Sequence, residues 1–465
     1  MTHLLDSAQC QRLITAALAR GGDYADVFCE RTVSRAVSYE EDQVKSASES
    51  ARLGVGIRVV VGERTGYAYC EDLDEATLLA TAARAALIAH SGPAAGSPLV
   101  ERVGLPDRYG HVSPLSGVPL QERIELLRRA SRRASAADAR VRWVSCSLVD
   151  NRSEVTIATS DGVFVSDDRP MLRMNVQVNA EHNGRRERGY TGGGGRQGYE
   201  YFSRRAPEAL ADEAVRQALT MFEAREAPAG AFPVVLAPAT SGILIHEAVG
   251  HGLEADFNRK GVSAYSGKVG EQVASPLVTV IDDGTVLGDR GAVNVDDEGI
   301  VPESTTLIEN GVLRGYLNDR LSARVMGVAP TGNGRREGYS KVPIPRMRVT
   351  YLAAGKDDPA DIIRSVKKGI YAVNFGGGSV DISKGDFNFH VTEGYLIEDG
   401  KITAPLRGAT LIGNGPEVLR RVSRVGHDLA LSDGMWTCGK DGQGCPVGQG
   451  LPTTLVDEMT VGGKG

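Results

Sequence analysis

Two imidazoles and a carboxylate lie within six residues at His246-Glu247-Ala248-Val249-Gly250-His251, a run expected to be helical that follows an apolar strand. Imidazole nitrogens are zinc ligands, and a carboxylate beside the first of them is placed to deprotonate a metal-activated water. The chemistry this composition points to is metal-assisted hydrolysis of a peptide bond. The spacing imposes a condition. The two His are five apart, and an ideal α-helix at ~100° per residue would set their rings ~140° apart. The usual i, i+4 pair of a zincin helix shares one face without distortion. Here a single widened, π-type turn is needed to bring the two rings together. Gly250 and Gly252 flank His251 and lower the cost of that distortion. The bland alternative has His246 packed in the core and His251 capping a helix end. The intervening Glu247 and the neighbouring glycines favour the metal.

A catalytic zinc takes three protein ligands and leaves one position open. The candidates for the third are Glu254 and Asp256 on the same segment, Glu271 a loop away, and His390, His427, Cys438 and Cys445 far downstream. Residue chemistry alone leaves these open.

Several ordered motifs go beyond one HExxxH. They are His246 to Asp256 (HEAVGHGLEAD), Phe257-Asn258-Arg259-Lys260-Gly261, Thr331-Gly332-Asn333-Gly334-Arg335-Arg336, Asn374-Phe375-Gly376-Gly377-Gly378, and Cys438-Gly439-Lys440 with Pro446-Val447-Gly448. Together they resemble the TldD/PmbA family, first described as modulators of DNA gyrase and understood as zinc metallopeptidases. The similarity runs through nearly the whole chain and is densest from about Phe232 onward. The resemblance implies zinc held by His246, His251 and Cys438, with Glu247 as the catalytic base. The paralogous TldE/PmbA partner typically lacks these four positions. It further implies a dimer, with that paralogue or with itself, and small or unfolded peptide substrates, as in peptide-antibiotic maturation and antitoxin turnover. A thiolate ligand is chemically sound, because the metal itself drives the deprotonation of Cys. The plainer readings of Cys438 are an ordinary thiol or a redox pair with Cys445, six residues between them, and Cys445 is kept in reserve as a ligand because nothing physical excludes it. The rival from another class is a non-catalytic, gyrase-modulating binding protein with a structural metal. Such a metal would have four protein ligands and no adjacent base.

The elements that must position these residues fall into three stretches of an α+β chain. Residues 1–95 read as a small α/β unit. A helix capped by Asp6 or Ser7 carries Leu13, Ile14, Ala17 and Leu18 and stops at Gly21-Gly22, short β-rich runs follow, and a helix spans Asp74 to His90. Ser91 to Ser97 reads as a linker. Residues 112–224 read as a central α+β unit between helices near Leu120–Ala136 and Ala206–Ala224. Within it Thr191 to Gly195 (TGGGG) lacks the Lys-Ser/Thr of a phosphate loop and is expected to be a flexible loop. Residues 230–465 read as an antiparallel, β-rich catalytic domain carrying the HExxxH helix. Hairpins are expected at Asp283-Gly284, Asn310-Gly311 and Asp399-Gly400, with only the helix Pro359–Lys367 interrupting. Asn374 to Gly378 is expected either to approach a bound peptide backbone or to form a bulge.

Composition sets the outer limits. With 465 residues, 41% of them hydrophobic, the chain can bury large cores. A net charge of −6 gives no whole-chain signature for nucleic acid. The local runs Arg185 to Arg188, Arg335-Arg336 and Lys367-Lys368 are expected to be solvated surface or peptide-carboxylate contacts. Six Cys match no disulfide framework, and no apolar run reaches the ~18 residues of a membrane span. The default compartment is the cytoplasm.

Overall fold

The computed structural model describes residues 4–89, 101–110 and 115–463; the expected linker at Ser91 to Ser97 lies outside them. The N-terminal helix Ser7–Ala17 starts at a capping box, in which the Asp6 carboxylate accepts from the Gln9 amide and the Gln9 side chain accepts from the Asp6 amide. It buries Cys10, Leu13, Ile14 and Ala17, the stripe its sequence prescribes.

The short β-rich runs of the sequence merge into long strands. Tyr24–Glu40 pairs antiparallel with Gln43–Val61 on one side and with Val141–Thr159 on the other. Val141–Thr159 pairs in turn with Val163–His182, and that strand with Arg185–Gly195. One sheet therefore crosses from the first stretch of the chain into the second. Charged positions such as Glu30-Arg31 and Arg152 to Glu154 break the apolar pattern, yet cross-strand partners accommodate them. Arg31, for example, meets Glu154 at 3.2 Å. The helices Leu120–Ala137 and Pro207–Thr220 share a core with this sheet, and Arg129–Glu208 and Arg133–Asp212 pairs link them.

The TGGGG segment is not a loop. It is the buried end of the strand Arg185–Gly195. Only glycine fits: a Cβ at Gly193 would stand 1.9 Å from the Tyr201 hydroxyl. Sequence composition read as flexibility is here close backbone packing.

Beyond residue 229, five strands close into a barrel. In ring order they are Lys368–Asp381, Gly230–Leu236, Thr454–Gly462, Thr410–Asn414 and Asp386–Glu398, the last pairing back onto the first. The pairing is mostly antiparallel. Gly230–Leu236 nevertheless runs parallel to Lys368–Asp381, as does Val349–Leu352 to Gly448–Leu451 in the neighbouring six-stranded sheet. These parallel contacts join strands about a hundred residues apart or more, where no local turn signal can announce them. Asn310-Gly311 and Asp399-Gly400 form tight hairpin turns with positive φ at both residues. Asp283-Gly284 does not, because the partner strand begins only at Ser304 and the Asp283 carboxylate instead holds the Thr285 amide. Further short helices, Ala255–Arg259, Arg320–Met326 and Gly415–Arg420, join Pro359–Arg364. No helix among the described residues is long and apolar enough to cross a membrane.

Candidate metal centre

The strand Gly230–Leu236 leads through a turn into one continuous helical stretch. Ile243–Ile245 is α-helical, His246–Gly250 forms a π-helical turn, and His251–Leu253 is a 3-10 turn. The wide turn puts both imidazoles on one side, edge to face with ring centroids 5.1 Å apart. Ile243, Leu244, Ile245, Val249 and Leu253 anchor the stretch in the core that contains the barrel residues Phe375 and Phe389. The flanking glycines act through packing rather than unusual φ. A Cβ at Gly250 would lie 1.9 Å from the Met347 sulfur, and one at Gly252 would lie 2.8 Å from the Tyr265 ring.

Cys438 arrives from far downstream on a hairpin, Thr437–Lys440 against Gln443–Pro446. Its turn is Asp441-Gly442, with φ of 50° and 66°, a two-residue signal that the sequence reading passed over. A Cβ at Gly439 would touch nothing within 4 Å, so that glycine is not needed for close approach. The ligand atoms of His246, His251 and Cys438 lie within 4.8 Å of one another, and all three residues are buried. The Cys438 Sγ is 3.3 Å from His251 Nε2. Cys445 stands directly opposite Cys438 in the hairpin register, but its sulfur accepts from Arg346 Nη1 at 3.4 Å and lies outside the cluster.

The surrounding groups hold this arrangement. Glu254 accepts from His251 Nδ1 at 2.9 Å, which turns Nε2 toward the sulfur. A carboxylate behind a ligating imidazole fixes its tautomer and raises its basicity. Fully buried Glu254 is itself neutralised by Lys440, 3.1 Å away, and Lys440 also meets Asp256 at 2.7 Å. Arg346 donates to the Cys438 carbonyl at 2.5 Å and to the Gln443 carbonyl at 3.2 Å, tying both strands of the hairpin.

The electrostatics follow from this packing. Burial pushes the Cys438 thiol up, but the His246 and His251 rings outweigh it and bring it down to about 4. Burial opposes charge on His251, yet Glu254 and Cys438 hold it well above the ordinary imidazole value. Burial likewise opposes ionisation of Glu254, and Lys440 with His251 still brings it down to about 2. Burial pushes the Cys445 thiol up despite Arg335 and Arg346. Of the two cysteines, only Cys438 is poised as a thiolate.

Glu247 lies at the rim. Its carboxylate is 3.7 Å from His251 Nε2, and its side chain is 21% exposed while the three ligand candidates are nearly sealed. The remaining third-ligand candidates are elsewhere: Asp256 pairs with Lys440, Glu271 and His427 are exposed, and His390 lines a separate cleft. That cleft, of about 1090 Å³, runs between the helix Pro207–Thr220 and the barrel, and Asn374, Phe375, Gly376 and Trp436 also line it. The Asn374–Gly378 segment carries register breaks in its pairing with the strand Asp386–Glu398, so it is a bulge that faces the cleft.

A metal fits this set on the structure's own terms. The donors are two nitrogens and a poised sulfur, and His246 Nδ1 is a buried polar atom with no hydrogen-bond partner among the described residues. Sequence reasoning missed Arg346 and Lys440. Lys440 was legible in principle: two residues from Cys438 on a strand, it must share the buried face, where a cation demands an acidic partner. Arg346 had no such signal.

Three models of one family match the chain in order: PmbA/TldA metallopeptidase domain 1 over residues 25–89, the central domain over 113–222 and the C-terminal domain over 229–463. A metalloprotease TldD homologue of Haemophilus influenzae is 46% identical over 96% of this chain and 94% of its own length. A metalloprotease of Methanocaldococcus jannaschii is 34% identical over 92% and 95%. A zinc metalloprotease TldD homologue of Saccharolobus solfataricus is 34% identical over 50% of this chain and 52% of its own. Two solved structures share the fold with a TM-score of 0.77 at 19% identity. A candidate modulator of DNA gyrase from Bacteroides thetaiotaomicron matches over 98% of both chains, and TldE from Thermococcus kodakarensis over 98% of this chain and 100% of its own.

Proposed function

This chain belongs to the PmbA/TldD metallopeptidase family, and we propose that it is a zinc-dependent peptidase acting on small or unfolded peptides. The observation that carries the reading is the convergence of His246, His251 and Cys438 within 4.8 Å, with the Glu247 carboxylate at the rim.

Zn²⁺ bound by these three residues would supply Lewis acidity toward a scissile carbonyl and toward water. The protein's own residues do the rest. Glu247 takes the proton of the attacking water and delivers it to the leaving amine, a role that requires a carboxylate near the cluster yet reachable from solvent. Glu254 keeps His251 in the tautomer whose Nε2 faces the cluster. Arg346 fixes the hairpin, so that the sulfur is already in place before substrate arrives. A structural metal in a binding protein is not favoured, because among the described residues three donors converge and a carboxylate stands beside them.

The large cleft supports an extended substrate. Bulged backbone at Asn374–Gly378 leaves ladder groups free beside it, and strand-like pairing supplies affinity with little demand on sequence. The active unit in this reading is a dimer, with the TldE/PmbA paralogue or with a second copy. Folded proteins rarely offer an unpaired strand and should resist. Cleavage of one polypeptide, folded and denatured, with and without the paralogue, tests this. The denatured form alone should be cut. Equal cutting of both forms would contradict the strand-pairing picture, and cutting only with the paralogue present would make this chain half of an enzyme.

A further inference from the structure

Next to the hairpin that carries Cys438 lies a second recess of about 430 Å³, lined by seven arginines against three carboxylates. Some of that charge is accounted for. Arg169 pairs with Asp167 and Asp297, and Arg336 with Asp26. Asp296 spends its oxygens on the amides of Glu298, Ile300 and Gly334, and Glu337 is exposed. Arg173, Arg196, Arg290 and Arg335 have no carboxylate in ion-pair reach among the described residues. Asp289 is near Arg196 and Arg290, but one of its oxygens holds the Gly291 amide.

These arginines are built in rather than loose. Arg290 donates to the Trp436 carbonyl at 3.0 Å and to the Thr437 hydroxyl at 3.1 Å, gripping the residues just before Cys438. Arg335 donates to the Pro446 carbonyl at 2.7 Å, on the opposite strand of the same hairpin. Arg173 is held by Asn175 and Tyr190. Arg196 is 6% exposed, stacks over the Tyr109 ring, and has a buried Nε with no partner. The glycine run is what delivers it. The last two glycines sit at φ of 148° and 159°, and a Cβ at Gly195 would stand 2.4 Å from the Gly288 carbonyl, the acceptor of the Arg196 amide at 3.0 Å.

Burying guanidinium without a counter-charge is costly, so a site that does so repeatedly is arranged for an anion that comes from outside. Burial, with Arg173 and Arg196 beside it, lowers Arg290 to about 10, which still leaves it charged at neutral pH. Arg173 also lines the large cleft, so recess and cleft meet at that side chain. A carboxylate seated there would lie against the hairpin that carries Cys438, since Arg290 itself bonds the two residues just before that cysteine.

We propose that Arg173, Arg196 and Arg290 form a subsite for a carboxylate of the peptide substrate, either a free chain end or an acidic side chain. The proposal rests on the peptidase reading, so its test is a binding measurement on the zinc-loaded, full-length Glu247→Gln protein. Three otherwise identical unstructured peptides serve as probes: a free C-terminal acid, its amide, and the amide with one internal Gln replaced by Glu. At least one charged peptide should bind about tenfold tighter than the neutral amide, and which one does so identifies the source of the carboxylate. That ratio should fall to about one when Arg196→Gln or Arg173→Gln is added, and Arg196→Lys should restore part of it. Part-exposed Arg173 decides the matter if Arg196→Gln fails to fold. Equal affinity for charged and neutral peptides, or a ratio that survives both Gln substitutions, would overturn the subsite. Cleavage by the wild-type chain without acid preference would sink the subsite alone, whereas acid preference without any cleavage would sink the peptidase reading alone.

Discussion

Glu247→Gln is expected to lower peptide cleavage by about 10²–10⁴-fold, the usual contribution of a positioned acid–base group, while leaving zinc content at the wild-type level. The split between activity and metal content follows from position. The His246, His251 and Cys438 donor atoms converge, whereas the Glu247 carboxylate sits at the rim, 3.7 Å from His251 Nε2. Glutamine keeps the size and the hydrogen-bonding oxygen but cannot take a proton from water. Rate assays on an unstructured peptide beside metal analysis separate the outcomes. Cleavage at the wild-type rate would remove Glu247 from the mechanism, and zinc lost together with activity would make it a ligand.

The two cysteines should behave in opposite ways. Cys438→Ser removes the sulfur that groups with both imidazoles among the described residues, so zinc affinity should fall by more than the ~10–100-fold typical of losing an outer-sphere partner. Cys445→Ser removes only a contact to Arg346 and should leave zinc bound. Competition with a chelator of known affinity measures both. Cys445→Ser losing zinc while Cys438→Ser keeps it would reverse the assignment, although the two residues face each other in register.

What was legible in the sequence divides by range. The five-residue His spacing demands a widened turn, and His246–Gly250 forms one, because helical geometry is local. The capped first helix and the Asn-Gly and Asp399-Gly400 hairpins were legible for the same reason. The long-range pairings were not: Gly230–Leu236 finds its barrel partners Lys368–Asp381 and Thr454–Gly462 more than a hundred residues downstream, and Val349–Leu352 pairs with Gly448–Leu451 about a hundred residues on. The same composition also supports opposite readings when burial is unknown. Arg335-Arg336 looks like surface charge but is buried, with Arg335 holding the Met347 and Pro446 carbonyls. TGGGG looks like a loop but is a strand end where only glycine fits. Arg346 ties the Cys438 hairpin from a stretch whose residues carry no motif, and only the assembled fold reveals it.

This chain is proposed to cut peptides with a zinc held by His246, His251 and Cys438. Zinc content and cleavage of a denatured polypeptide, followed together on the purified protein, alone and with the TldE/PmbA paralogue added, through chelation and zinc return, test this most directly. The expected result is about one zinc per chain, cleavage that disappears with the metal and cleavage that returns with it. Peptide cleavage that persists in fully zinc-free protein would contradict the account.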